Sequence, residues 1–376
     1  MKKLIAPVLT LLLTGCASLV EPPDPSLLAE IRGNPLQGVR PNEAGTINIL
    51  ALSDDLKVFV DTHIDRKWRT KRRLKELRRL LFSPEFFSIE YQSGVTKTAI
   101  ETYQSRSGNC LSMTNLFIAM ARYSGIDAHY HLVSARPKWD QSGSTLIWTR
   151  HINSTGVLRN GDRYILDFLP QLRAIRGEME TVSDQYAQAI YYNNLGAEAI
   201  LSQQFEKALG YLRLALNIEP QLADVWNNMG ATQNRLKRAD LAKASFQQAI
   251  LLDAFNNTAM SNLSRIYFVE GSVELGNYFA DKVAKYRKKN PYYRYAKAKS
   301  ALLAKDYIKA REELDAAIRL KKDEADFFDA LAEVYDGLGD EEKQLLSLKM
   351  AKLIRDKSTT RRSSLEIYRS GKVVLK

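Results

Sequence analysis

Cys110, His151 and Asp167 are residue types that together cleave or transfer an amide. A thiol attacks the carbonyl, an imidazole takes the thiol proton, and a carboxylate orients the imidazole. The chain has two cysteines, Cys16 and Cys110. Cys16 follows a positive start, Met1-Lys2-Lys3, an apolar run from Leu4 to Leu13, and Thr14-Gly15. That is the pattern of an export signal closing on small residues. The run is too short for a bilayer core, which takes roughly 20 apolar residues. With Cys16 used at the cut site, Cys110 has no disulfide partner within the chain, in a compartment that favours disulfides. A lone exported thiol flags reactivity; a small buried apolar residue is the alternative.

Elements must bring these groups together. Ser53 to Leu81 reads as helical. Ser107-Gly108-Asn109 leads into a second helix, Leu111 to Ser124, closed by Gly125, with Leu116 to Ala121 apolar on every side. Such a helix is expected to be buried. Cys110 stands at its N-terminus, where the dipole and unpaired N–H groups favour a thiolate and a developing oxyanion. Asn109 reads as a loop or cap residue. Strand-like segments follow at Ile126 to Val133, Thr145 to Asn153 and Arg163 to Phe168, with Asn160-Gly161 as a hairpin signal. A strict two-residue turn sets Asp167 opposite Ser154, so a bulge or longer loop near Gly156 is needed to bring it level with His151. Asp162 is the fallback carboxylate. His63 lies in the upstream helix, and His129 and His131 share a strand face without a zinc-like ligand set, so no metal is expected.

Gly108-Asn109-Cys110, the buried helix, Ser124-Gly125-Ile126-Asp127-Ala128, His151 and Tyr164-Ile165-Leu166-Asp167 resemble the transglutaminase-like superfamily over about residues 46–180. The resemblance implies an α+β, papain-like domain with the Cys on a helix and the His and Asp on adjacent strands. It implies an amide-crosslinking enzyme or a cysteine peptidase, with no cofactor. Asn153 stands where the family often has an aromatic residue, and Phe168 where it often has Pro. Gln104 lies six residues before Cys110, the spacing of the oxyanion-hole Gln in papain-like proteases, and is the oxyanion candidate.

Downstream, small residues recur at steps of 34: Gly196, Gly230, Ser264, Ala298, Ala332. Larger apolar residues recur with them at four of five positions, Leu212, Phe246, Leu314 and Leu348, with Ala280 in the third repeat. This period and pattern resemble the tetratricopeptide repeat. It implies an all-α solenoid of about five repeats over 189–358, whose concave groove binds peptide or protein. Gly276 and Lys297 depart from the pattern.

Leu13-Thr14-Gly15-Cys16 resembles the bacterial lipobox, which implies acylation of Cys16. Ala17 after it, in place of Asp, implies the outer membrane, facing the periplasm. Residues 1–15 are then a signal peptide, and 16–45, with five prolines from Glu21 to Pro41, a flexible tether. Residues 359–376 read as a basic tail. Net charge is +12. Nine Lys or Arg between Arg66 and Arg79, with Leu74, Leu77, Leu80 and Leu81 at helical spacing, make an amphipathic helix. Its basic face is either solvated or set against anionic headgroups or an acidic partner; nucleic acid is not expected for an exported chain. Two functions stay open: a membrane-anchored acyl-transfer enzyme, with hydrolysis preferred, and a non-catalytic repeat adaptor.

Overall fold

The computed structural model describes residues 20–34, 47–142, 145–168, 178–359, 364–369 and 372–375. Cys16 and its signal lie outside them. Within the stretch read as a tether, Pro25–Arg32 form helix α1. Asp24 accepts the Ser26 N–H at 2.8 Å, and Pro25 occupies the first turn, where a missing N–H costs nothing. Ile31 is fully buried, so this part of the stretch is docked.

The expected first helix is two, α2 (Asp54–His63) and α3 (Thr70–Phe82). Asp65 breaks it: its carboxylate accepts the Lys67 N–H at 2.8 Å and its carbonyl the Trp68 N–H at 3.0 Å, a local turn that competes with helix. The leucines of α3 are all buried, as their spacing requires. So is Arg73, whose guanidinium bonds the Ser124 carbonyl, and burial lowers its pKa. Short parallel strands β1 (Glu90–Tyr91) and β2 (Ser107–Gly108) flank α4 (Ala99–Ser105), and α5 (Cys110–Tyr123) follows at once.

The main sheet begins with β3 (His129–Ser142), β4 (Thr145–Val157), β5 (Arg163–Asp167) and β6 (Glu178–Val182). β3 and β4 pair antiparallel, with extra residues in β3 between Val133 and Lys138. β4 turns into β5 through a three-residue loop, not two. The Leu158 N–H bonds the Asp162 carbonyl at 2.8 Å, and Gly161, at φ +82°, takes the left-handed position such a loop needs.

Five helix pairs follow among the described residues: α6 (Asp184–Leu201) with α7 (Phe205–Ile218), α8 (Ala223–Arg235) with α9 (Ala239–Leu252), α10 (Asn257–Val269) with α11 (Val273–Arg287), α12 (Pro291–Leu303) with α13 (Tyr307–Leu320), and α14 (Ala325–Gly337) with α15 (Glu341–Thr359). The 34-residue steps are their packing points. A Cβ built on Gly230 would sit 2.7 Å from the Phe246 ring, and one on Gly196 2.8 Å from Leu212. Lys297, the departure from pattern, is absorbed by a buried acid. Glu313 receives Lys297 at 2.8 Å and Arg294 at 2.7 Å. Burial works against its charge, but these hydrogen bonds hold its carboxyl below the usual range. One apolar core runs from the sheet domain through the third pair; the last two pairs have a core of their own.

The expected basic tail is instead a pair of strands. β7 (Ser364–Arg369) pairs antiparallel with β5, and β8 (Lys372–Leu375) with β7, giving the order β6-β3-β4-β5-β7-β8. Leu365 and Ile367 enter the main core. The last strands thus complete the sheet of the N-terminal half.

Candidate functional site

Cys110 is the first residue of α5 and is partly exposed. Asn109 caps the helix, as expected. Its Oδ1 accepts the Ser112 N–H at 3.0 Å and the Ser112 hydroxyl at 2.9 Å, while its Nδ2 donates to Thr96 Oγ1 at 2.7 Å. The cap consumes the Ser112 amide and leaves those of Cys110 and Leu111 as first-turn donors beside the thiol. A fixed loop surrounds this end. The Lys97 N–H donates to Ser112 Oγ at 2.8 Å, and the Lys97 ammonium reaches Ser105 Oγ at 2.7 Å and Ser107 Oγ at 2.8 Å. Gly108 is pressed onto Ser112, 2.5 Å from where a Cβ would stand.

The same loop is tied to the first repeat. The Thr96 N–H donates to Glu198 Oε1 of α6 at 2.7 Å. Burial raises the Glu198 pKa, against hydrogen bonds from Thr96 that lower it. Deeper in α5, Asn115 donates to the Lys97 carbonyl at 3.1 Å and accepts Tyr130 of β3 at 2.7 Å. Thr96, Ser112, Asn115 and Glu198 are the residues that sequence reasoning missed. For two of them a signal was present: Ser112 and Asn115, like Thr114, are polar residues in a helix read as buried, and buried polar groups need partners; Thr96 and Glu198 carried none.

The sheet brings His151 and Asp167 onto adjacent strands. His151 pairs with Val133, and its side chain falls outside the described residues. Pairing runs without a shift through Gly156↔Tyr164 to Ser154↔Leu166, so Asp167 comes level with Asn153 and diagonal to His151. A diagonal pair stands about 7–8 Å apart at the backbone, within reach of long side chains. Asp167 is buried. Asp162, the fallback, is buried too and accepts Asn160 Nδ2 at 2.9 Å in the loop. Tyr164 and Phe168 pack edge-on against Phe117 of α5.

The other candidates separate cleanly. Gln104 is exposed, about 200° round α4 from Thr102. Thr102 faces α5 and donates to the Ser112 carbonyl at 3.3 Å. His131 is buried and meets Asn153 Oδ1 at 2.9 Å; His129 is exposed and meets Asp127 at 2.7 Å. His63 stacks on Phe59. Among the described residues, no group of three or more His, Cys, Asp or Glu could hold a metal ion. A cavity of about 310 Å³ lies among the repeats, lined by Tyr186, Glu219, Leu222, Leu252 and Asp253, and includes none of the candidate residues.

Comparison with known proteins agrees with this division. Residues 75–164 match the transglutaminase-like superfamily, a span that holds Cys110 and His151 and stops before Asp167. Residues 223–256 match the tetratricopeptide repeat. Anaphase-promoting complex subunit 3 of Schizosaccharomyces pombe is 25% identical over 144 residues, 38% of this chain and 22% of that protein. Tetratricopeptide repeat domain-containing protein PYG7, chloroplastic, of Arabidopsis thaliana is 28% identical over 68 residues, 18% of this chain and 23% of that protein. The chain thus spans under a quarter of the length of these curated relatives. Among solved structures, YrrB, a repeat protein with an unusual peptide-binding site, gives a TM-score of 0.26 at 18% identity, covering 45% of this chain and 87% of that one. MamA gives 0.28 at 16% identity, covering 44% and 98%.

Proposed function

From a chain that carries a transglutaminase-like domain followed by tetratricopeptide repeats, we propose a membrane-anchored, cysteine-dependent amide hydrolase whose repeats hold a protein substrate or partner. The observation that carries this is Cys110 itself: a partly exposed thiol at the first position of a buried, firmly capped helix, inside the family match. In this reading Cys110 Sγ attacks the amide carbonyl carbon, and His151 takes the thiol proton. The Cys110 and Leu111 amides donate to the developing oxyanion; their position at the first turn of α5 and the exposure of Gln104 support this over Gln104. The carbonyl re-forms as a thioester and the C–N bond breaks, with His151 returning the proton to the leaving amine. Water then attacks the thioester, giving the acid and the free thiol. Asp167 orients His151. Acylated Cys16 would hold the enzyme at the outer membrane, facing the periplasm.

The test is alkylation of the purified chain by an iodoacetamide probe at neutral pH, compared across wild type, Cys110→Ala and His151→Ala. Rapid labelling lost in Cys110→Ala and slowed in His151→Ala supports the enzyme. An inert thiol, with no effect of His151, removes it.

One observation favours a second reading, a repeat adaptor with a retired catalytic domain. Tyr164 meets Phe117 of α5, and strand alternation puts Asp167 on the other side of β5 from Tyr164 and Leu166, away from that helix. The enzyme reading therefore requires Cys110, at the end of α5, to be reached from that other side. The same alkylation series decides between the two.

A further inference from the structure

One helix serves both halves of the chain. α6 opens the first repeat: Gly196 packs on Leu212 of α7, and Asn193 Oδ1 accepts Asn228 Nδ2 of α8 at 2.9 Å. The same helix holds the thiol helix α5 at two points. At the end of α5 far from Cys110, the Arg122 guanidinium donates to both carboxylate oxygens of Asp184, at 2.5 and 2.9 Å. At the near end, Glu198 Oε1 accepts the Thr96 N–H at 2.7 Å, and Thr96 Oγ1 accepts Asn109 Nδ2 at 2.7 Å. The two helices therefore run in opposite directions over matched lengths. From its cap to Arg122, α5 is about 20 Å long, and from Asp184 to Glu198, α6 is about 21 Å. Between those points Gln188 donates to the Ile47 carbonyl at 3.0 Å, and the Tyr192 hydroxyl accepts the Ile47 N–H at 3.4 Å.

The links from Glu198 to the thiol are buried: Thr96, Asn109 and Ser112 are all out of solvent. Three consecutive residues grip the turn that carries Cys110. The Val95 carbonyl accepts the Asn109 N–H at 3.2 Å, Thr96 Oγ1 accepts the Asn109 side chain, and the Lys97 N–H donates to Ser112 Oγ at 2.8 Å. The N–H of the middle residue goes to Glu198, from the repeat. Loss of that acceptor leaves a buried donor that must turn to water. Thr96 cannot turn without drawing Asn109 away from the first turn of α5. The repeat itself has no use for a carboxylate here. At steps of 34 the position of Glu198 is taken by Thr232, Ile266, Ser300 and Val334, none of them charged.

We infer that Glu198 is a positioning residue for Cys110: by holding Thr96 from the first repeat, it sets the cap and first turn that present the thiol. This rests on the reading of Cys110 as the nucleophile. The first repeat is then part of the thiol's support, as well as a platform for a partner.

The test is the rate at which an iodoacetamide probe labels Cys110 in the full chain at neutral pH. Glu198→Leu keeps the bulk and loses the acceptor, and should slow labelling about ten- to a hundredfold. Glu198→Gln keeps an acceptor oxygen at the same reach and should restore most of the rate. Glu198→Asp keeps the charge but falls a methylene short of Thr96, so it should be slow as well, and it decides the matter if Glu198→Leu fails to fold. Thr96→Val keeps its shape and the N–H bond to Glu198 but drops Asn109. It should be slow too, and Glu198→Leu should add little in its background. Asp184→Ala cuts the other attachment of α6 to α5 and should label as the wild type does, which separates positioning from general loosening of the docked helix. Wild-type rates in Glu198→Leu and Glu198→Asp, with the dependence on His151 intact, overturn the inference and leave the enzyme standing. A wild-type thiol that is inert and indifferent to His151 overturns both.

Discussion

Gly230 packs directly against Phe246, and this contact sets the spacing of the second repeat. A Cβ at 230 would lie 2.7, 2.8 and 3.0 Å from three Phe246 ring atoms. Ordinary carbon contacts are about 3.5–4.0 Å, so the ring must retreat by close to 1 Å. Phe246 is fully buried and has nowhere to go. Overpacking of this kind costs about 1–3 kcal/mol. Against it stands a helix-propensity gain of about 1 kcal/mol for Gly→Ala. Gly230→Ala should therefore lose about 1 kcal/mol, where an exposed helical glycine would gain that much. The fourth repeat shows the remedy, with Ala298 in the small position and Leu314 opposite. Phe246→Leu alone should cost about 1 kcal/mol, but in the Gly230→Ala background it should restore stability, a coupling of about 1–2 kcal/mol. Guanidinium unfolding followed by circular dichroism reads the total. Hydrogen exchange over α8 and α9 localises it, which matters because repeat arrays need not unfold as one unit. Stabilisation by Gly230→Ala, or simple additivity with Phe246→Leu, would refute this account of the packing.

Two further predictions concern buried polar groups. Glu313, held below the usual carboxyl range by Lys297 and Arg294, contributes stability above its unfolded pKa of about 4.3 and loses it as pH falls through its lower folded value. Glu313→Gln should weaken protection of α12 and α13 at pH 7 by roughly 1–3 kcal/mol in hydrogen exchange, and the gap to wild type should close at acid pH; a gap that widens there contradicts the assignment. Asn109→Ala removes a cap worth about 1 kcal/mol and strips Ser112 and Thr96 of a buried partner, at about 1–3 kcal/mol more. Exchange in the first turn of α5 should rise, while an unchanged first turn means the Lys97 loop alone holds the thiol.

What the sequence made legible is what it encodes locally. Each repeat pair is set by a small residue and a larger one close in sequence, Gly196 with Leu212 and Gly230 with Phe246, and these recur at the 34-residue steps that carried them. The Cys110 helix was readable because its cap and apolar run are contiguous. What depended on distant partners was not. Leu365 and Ile367 alternate, with Ser370-Gly371 before Val373, a hairpin pattern, but only β5, far back in the chain, gives it a place. Leu27, Leu28 and Ile31 are a faint stripe until α7 and α9 cover it. The β4–β5 register turned on one residue: the loop is longer than a strict two-residue turn, as the site required, but only by one, so Asp167 stands level with Asn153 and diagonal to His151. The outer part of the thiol's surroundings also depended on a distant partner: Glu198, which holds the Thr96 N–H, comes from the first repeat.

The return of β7 to the edge of β5 also fixes an order of manufacture. The sheet that holds Asp167 cannot be completed while the repeats are still being made, because its outer strands follow every repeat in the chain. Every repeat must already have been synthesised before Leu365 and Ile367 can dock. A chain cut short anywhere in the repeats would leave the β5 edge bare, a sticky rim of unpaired N–H and C=O groups. Completion of the N-terminal domain thus reports that all the repeats have been made.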